Sequence, residues 1–109
     1  MTNNINIDHR LEFPATKRNG YHIAEILRRY IPSNGYILEI ASGSGEHGVL
    51  FQQLFPSIIW QTSDPNLINR QSISSWIMHE DLSSRMPAPL NLDVENKPWP
   101  LSSKFKSEL

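Results

Sequence analysis

One stretch, residues 36–48 with the sequence YILEIASGSGEHG, constrains the fold more than any other part of the chain. It begins as an apolar run that holds a single acid, Glu39, continues through small residues at 41–45, and restarts at Glu46 with a helical pattern. A strand that turns on glycines directly into a helix lets a ligand approach the backbone, and the start of the helix offers free N–H groups. The stretch therefore predicts a site for a nucleotide-like ligand.

Helical and strand patterns alternate along the rest of the chain. Hydrophobic periodicity, turn residues and β-formers predict the following elements: a helix capped by Thr16 and stopped by Gly35, a strand over 36–41, a helix over 46–55, a strand over 57–63, a helix over 66–80 and a strand over 89–92. The inner stripe of the third helix is expected to comprise Leu67, Ile73, Trp76 and Ile77. Such alternation favours right-handed βαβ units and a parallel sheet.

Three residues suited to a ligand site follow the three predicted strands. Gly43, Asp64 and Asp93 each come just after a strand end. Ligands of open parallel sheets bind beyond the carboxyl ends of the strands. We therefore expect these three positions to converge on one site.

Two ligands compete for this site. Gly43 to Gly48 satisfy the pattern G-x-G-x-x-G, and Asp64 follows about twenty residues later, which is the arrangement of a dinucleotide (NAD) site. The pattern E-x-A-x-G-x-G from Glu39 to Gly45 instead resembles the first motif of S-adenosylmethionine (SAM) methyltransferases. A carboxylate inside the first strand is expensive to bury without a partner, and the cationic SAM would supply one. A helix ahead of the first strand also favours SAM.

Simpler interpretations stand beside both. The small residues at 41–45 could form no more than a tight turn from strand to helix, and Asp64 could cap the third helix. Glu46 would favour the dipole of its helix with or without a ligand. Gly48 stands where a helix former would serve, at a cost of about 1 kcal/mol against Ala.

Composition narrows the class of protein. The chain has 109 residues, room for one domain, with 39% hydrophobic and 19% charged residues and a net charge of −1. Scattered Lys and Arg argue against a nucleic-acid footprint, and no apolar run approaches a membrane span. The sequence has no cysteine, and its four histidines lack metal-ligand spacing. No secretory signal is recognised, so a cytoplasmic location is expected.

Five separated motifs resemble the methyltransferase-like 26 family, a group of SAM-dependent methyltransferase-like proteins with a poorly defined methyl acceptor. The motifs are FPATKRN at 13–19, ILEIASGSGEH at 37–47, WQTSDP at 60–65, LDV at 92–94 and PWP at 98–100. The resemblance implies a Rossmann-like class I methyltransferase fold, a three-layer αβα sandwich around a seven-stranded sheet. It also implies SAM as cofactor.

The resemblance assigns roles to particular residues. Asp64 would hold the ribose hydroxyls, because a carboxylate can accept two hydrogen bonds. Asp93 and Val94 would sit by the adenine. Arg18 and Asn19, just ahead of the first helix, would reach the SAM carboxylate or the acceptor pocket, unless they form only a solvated helix start. The methionine end would be lined by Glu39, Ala41, Ser42, Gly43, Ser44 and Gly45. Ala41 departs from many methyltransferases, which have their first glycine there; this family tolerates Ala.

The resemblance covers only the N-terminal half of such a domain. We expect a flexible arm over 1–12 and the SAM-binding portion over 13–109, truncated after the third strand. The first strand would then have an open edge, covered by an oligomer or a complementing chain. This chain alone is expected to bind SAM weakly and not to turn over. The alternatives are an NAD-binding module and a non-catalytic interaction or remnant module.

Overall fold

Helices and parallel strands alternate in the computed structural model, which describes residues 7–101. Within that range the elements are α1 (Pro14–Leu27), β1 (Gly35–Leu38), α2 (Glu46–Leu54), β2 (Ile58–Gln61) and α3 (Leu67–His79). The predicted α/β class is therefore confirmed. Residues 102–109 of the predicted SAM-binding portion and the first six residues of the predicted arm lie outside the described residues.

The first helix begins earlier than the sequence indicated. Phe13 is the N-cap of α1 in an extended conformation, and Pro14 is the first helical residue. Proline suits that position because its fixed φ matches the helix and its missing N–H would have no partner there. The predicted cap at Thr16 is therefore wrong, since Thr16 lies inside the first turn.

The sheet joins β1 and β2 in parallel, with Gly35 opposite Ile58 and Leu38 opposite Gln61. Both strands are shorter than predicted, but their pairing continues past them. The backbone N–H of Glu39 donates to Gln61 at 2.8 Å, and that of Ser42 donates to Ser63 at 2.8 Å. The carboxyl ends of the two strands are thus held side by side.

The predicted third strand is reduced to a single parallel bridge, between Leu90 and Ser63. Leu90 donates to the carbonyl of Thr62 at 3.1 Å and accepts from the N–H of Asp64 at 3.0 Å. These bonds come from the side of the β2 segment that faces away from β1, because backbone groups of successive residues point to opposite sides. The order across the sheet is therefore the segment at Leu90, then β2, then β1. Within residues 7–101, β1 pairs with no further strand, as the predicted open edge requires.

Two hydrophobic clusters lie on opposite faces of this sheet. Ile37 packs in the larger cluster, whereas its neighbours Tyr36 and Leu38 pack in the smaller one, as the alternation of a strand requires. The helices cover the larger cluster, which is centred on Ala24, Val49, Phe51, Phe55, Ile58, Trp60, Ile73, Ile77 and Met86. The smaller cluster is formed by the chain after Leu90, through Leu92, Trp99 and Leu101.

The predicted inner stripe of α3 is wrong at one residue, Leu67. Ile73 and Ile77 are buried and Trp76 packs against the same core, but Leu67 is 57% exposed. Leu67 is the first residue of α3, directly after the N-cap Asn66, whose side chain accepts from Asn69. The first turn of α3 therefore lies beyond the core, although its sequence continues the helical period of the buried residues.

None of the helices in the described part of the chain is both long and apolar enough to cross a membrane. The longest, α1, has 14 residues, whereas a span needs about 20.

Candidate functional site

The turn between β1 and α2, residues 41–45, is called the glycine loop. Three of its residues have left-handed backbone, with φ of 53° at Ala41, 64° at Gly43 and 96° at Gly45. Glycine adopts this region without penalty, whereas Ala pays about 1–2 kcal/mol for its Cβ. The position at which the resemblance expects a glycine is thus a position where the backbone favours one. Backbone strain of the kind found at Ala41 occurs mainly at functional sites in proteins.

The glycine loop is packed on one side and open on another. A Cβ placed on Gly45 would lie 2.9 Å from the Cα of Ile73, so the loop presses directly on α3. A Cβ on Gly43 would meet no atom within 4 Å among the described residues. The loop is therefore fixed from the α3 side while its middle stays accessible.

Two serines join the loop to the adjacent strand end. The hydroxyl of Ser42 accepts from the backbone N–H of Ser63 at 3.0 Å, and the hydroxyl of Ser63 donates to the carbonyl of Glu39 at 2.6 Å. Ser63 is completely buried. Sequence reasoning gave Ser63 no role, because a serine between a strand and an aspartate carries no distinctive local signal.

Glu39 directs its carboxylate under α2. Its Oε1 accepts from the indole N–H of Trp60 at 3.1 Å. A Cβ on Gly48 would lie 3.0 Å from that same oxygen and 3.1 Å from Cγ2 of Thr62. Burial raises the pKa of Glu39 above its ordinary value, against the opposing hydrogen bond from Trp60. Gly48 thus makes room for α2 over a carboxylate that is costly to ionise, which explains a glycine inside a helix.

Asp64 ties the glycine loop to the start of α3. Its Oδ2 accepts from the N–H of Gly43 at 3.0 Å, while Oδ1 accepts from the N–H of Asn66 at 2.9 Å and from the side chain of Asn69 at 3.3 Å. Only 5% of Asp64 is exposed. The guanidinium of Arg70 donates to the backbone carbonyl of Asp64 at 3.0 Å. The carboxylate therefore has a structural role of its own, and Asn66 rather than Asp64 caps α3.

Asp93 follows the bridge residue Leu90 by three positions. Oδ1 of Asp93 accepts from the N–H of Glu95 at 3.0 Å, which closes a turn, and Val94 is 45% exposed. Gly43 and Asp64 are hydrogen-bonded, as the predicted convergence requires. For Asp93 the convergence stays a prediction.

Arg18 and Asn19 are placed differently from the prediction. Both lie inside α1 rather than ahead of it, and both are exposed. Their predicted contact with a ligand stays a prediction. Across residues 7–101, no group of three or more His, Asp or Glu side chains is arranged to hold a metal ion.

A protein-family model matches most of the chain. Residues 10–108 match the family model described as "Protein of unknown function (DUF938)". The chain belongs to the DUF938 family. The match takes in the glycine loop, Asp64 and Asp93, so the whole candidate site lies within the part of the chain that DUF938 defines.

Proposed function

We propose that this DUF938 protein binds SAM at the carboxyl edge of its sheet and acts as the donor-binding part of a methyltransferase of the methyltransferase-like 26 type. The observation that carries the proposal is the left-handed glycine loop with a carboxylate on either side of it, Glu39 before it and Asp64 bonded to it. The proposed fold is the Rossmann-like class I methyltransferase fold, and the methyl acceptor is not assigned.

The charge of Glu39 supports SAM over a dinucleotide. Burial already makes its ionised form costly, as the raised pKa shows. A ligand that brings positive charge near the loop would offset that cost, and SAM carries both an ammonium and a sulfonium group. A pyrophosphate would add negative charge to the same region and raise the cost further.

Asp64 has acceptor capacity left for a ribose. A carboxylate offers about four lone-pair sites, and Asp64 uses three of them, for the N–H groups of Gly43 and Asn66 and the side chain of Asn69. In this proposal one ribose hydroxyl takes the remaining site, while the bonds to the loop keep the carboxylate aimed. Asp93 and Val94, on the neighbouring chain segment, would border the adenine.

The arrangement of the strands supports a doubly wound sheet. The segment at Leu90, β2 and β1 follow one another across the sheet as third, second and first. This is the order of one half of the Rossmann sheet, whose ligand lies beyond the strand ends.

One observation favours NAD as the second candidate. The third glycine of a dinucleotide fingerprint allows close packing of helix and strand, and Gly48 does so against Thr62 of the β2 segment. The atom nearest to Gly48 is, however, the carboxylate oxygen of Glu39. A dinucleotide strand usually has an apolar residue there, so the clearance fits the SAM interpretation as well.

Titration calorimetry with SAM and with NAD separates the two. We expect one SAM bound per chain and no heat from NAD. Glu39→Gln should weaken SAM binding about tenfold, since a tenfold change corresponds to about 1.4 kcal/mol of lost charge interaction. Glu95→Gln, an exposed carboxylate after Asp93, is the matched control and should leave binding unchanged. Equal affinities for NAD and SAM, or no heat with SAM at millimolar concentration, would overturn the proposal.

A further inference from the structure

The chain ahead of α1 lies across α3 although it has no helix or strand of its own. Residues 7–13 are called the strap. The backbone N–H of His9 donates to the hydroxyl of Ser75 at 3.1 Å, and that of Leu11 donates to the hydroxyl of Ser72 at 2.9 Å. The indole of Trp76 donates to the carbonyl of Leu11 at 3.1 Å. This part of the predicted flexible arm is thus anchored to one face of α3.

One hydroxyl joins the strap to the glycine loop. Ser72 is completely buried. Its hydroxyl donates to the backbone carbonyl of Ser44 at 2.6 Å while it accepts from Leu11. Removing the hydroxyl would therefore release a bond on each side at once. A serine in the middle of a helix gave no signal in the sequence, because its two partners are far away along the chain.

A second side chain makes the same connection. Oε1 of Glu46 accepts from the N–H of Phe13 at 2.9 Å and from the hydroxyl of Ser44 at 3.0 Å. Ser44 is thus linked to the strap twice, through Ser72 at its carbonyl and through Glu46 at its hydroxyl. A change in the backbone of Ser44 acts directly on the link through Ser72, and a change in its side chain acts on the link through Glu46.

The ion pair of the strap does not tie it to the core. Arg10 pairs with Asp8 at 2.8 Å, so both partners belong to the strap, and the guanidinium of Arg10 lies 5.0 Å from the ring centre of Trp76. A segment held by a few hydrogen bonds and little buried apolar surface opens locally without unfolding the core.

We propose that docking of the strap on α3 is coupled to occupation of the glycine loop and that Ser72 is the positioning residue that carries the coupling. A ligand that fixes the backbone of Ser44 strengthens the bonds to Ser72 and Glu46, and these hold Leu11 and Phe13. The docked strap in turn favours the occupied loop, because coupling between two sites is reciprocal. The proposal rests on the proposed function only for the identity of the ligand, SAM.

Amide hydrogen exchange of the ligand-free protein tests the positioning role alone. Ser72→Ala should speed exchange of the loop amides of Gly43 and Gly45 about 3- to 10-fold, the range expected for one lost hydrogen bond. Ser75→Ala is the matched control, because Ser75 holds His9 but makes no bond to the loop. It should speed exchange at His9 and leave Gly43 and Gly45 unchanged. The amide of Ile77 reports that α3 is intact in both variants. Unchanged loop amides in Ser72→Ala would overturn the positioning role.

Saturation with SAM tests the coupling. In the wild-type protein, the amides of His9 and Leu11 should become more protected on binding, and Ser72→Ala should remove the gain at His9 and weaken SAM binding about 3- to 10-fold. If SAM binds but His9 exchanges at the same rate with and without it, the coupling is disproved. If SAM gives no binding heat, the proposed function fails, while the exchange comparison of the two serine variants still decides the role of Ser72.

Discussion

Two buried polar side chains hold the ends of this sheet together in different ways. At the amino end of β2, Gln52 of α2 donates to the carbonyls of Phe55 at 3.3 Å and Ile58 at 2.6 Å and accepts from the N–H of Trp60 at 3.0 Å. At the carboxyl end, Asp64 accepts from the loop and from the start of α3. Gln52 is 1% exposed and Asp64 5%.

The difference between them is chemical. The amide of Gln52 is neutral, and both its donor and acceptor are used within one turn between helix and strand, so its role is complete within the fold. The carboxylate of Asp64 is bonded to a left-handed loop and lies beside a carboxylate-bearing strand end. A charged acceptor at a strained, accessible turn suits a ligand, whereas a satisfied neutral amide in the core suits stability.

Gln52→Leu should have the largest effect on stability. It leaves the N–H of Trp60 and the carbonyls of Phe55 and Ile58 buried without partners, which should lower the free energy of unfolding by about 3–4 kcal/mol. Urea unfolding measures the loss. Gln53→Leu is the control one residue away: it is exposed, and its change should stay within about 0.5 kcal/mol. If Gln52→Leu folds but loses SAM affinity, Gln52 is not purely structural and its distinction from Asp64 fails.

Asp64→Asn should affect stability less and ligand binding more. The amide places an N–H₂ group against the N–H of either Gly43 or Asn66, and the lost acceptor should reduce the free energy of unfolding by about 1–3 kcal/mol. SAM binding should become undetectable by calorimetry. Asp81→Asn serves as the control, because Asp81 is an exposed residue with left-handed backbone, a conformation that Asn also tolerates. If Asp64→Asn binds SAM with full affinity, the role of Asp64 is purely structural.

Glu39→Gln should reveal the cost of a buried charge through its pH dependence. The pKa of Glu39 is raised by folding, so its contribution to stability is fully present below the unfolded pKa and is lost as pH rises through the folded pKa. Glutamine keeps an acceptor for Trp60 without the charge. The variant should therefore be more stable than the wild type at neutral pH, and the difference should shrink as pH falls toward the ordinary pKa of 4.5. Parallel stability curves for the two proteins would show that Glu39 carries no such cost.

Ala41→Gly should have the smallest effect. It relieves the left-handed strain at φ 53° but adds freedom to the unfolded chain, so a net gain of about 0.5 kcal/mol is expected. Thermal unfolding followed by circular dichroism measures it. Ala88→Gly, at an exposed position outside the left-handed region, should lose stability instead. If Ala41→Gly and Ala88→Gly lose the same amount of stability, the backbone at Ala41 is not strained.

The sequence predicted those parts of the fold that depend on local chemistry. The span of α2 follows from proline and apolar spacing and is found at Glu46–Leu54. The predicted stop at Gly35 is wrong: α1 ends at Leu27 with Arg28 as its C-cap, and Gly35, with a φ of 118°, is the first residue of β1. Thr16 failed as a cap because Phe13 and Pro14 start the helix with backbone geometry instead of a side-chain bond.

The candidate site was predicted only in part, for a physical reason. Gly43 and Asp64 stood out because their residue types are rare in strands and helices. The roles of Ser63 and Ser72 could not be predicted, because their partners are distant in sequence and become neighbours only when the sheet and α3 pack. The sequence shows that Gly48 lowers the stability of α2. It does not show the reason for the glycine, because the carboxylate oxygen that leaves no room for a Cβ belongs to Glu39, at the end of β1.

The single bridge at Leu90 has a consequence for how a bound molecule would leave. The chain around it is joined to β2 by two backbone bonds, supported by the side chain of Gln61, which donates to Ala88 at 2.9 Å. The small apolar cluster holds this segment against Tyr36 and Leu38 of β1. Separation would break these contacts while the helices remain packed on the other face. Asp93 would move away with the segment, and Asp64 would stay with the glycine loop. In the proposed SAM complex, the adenine would then be freed before the amino-acid end.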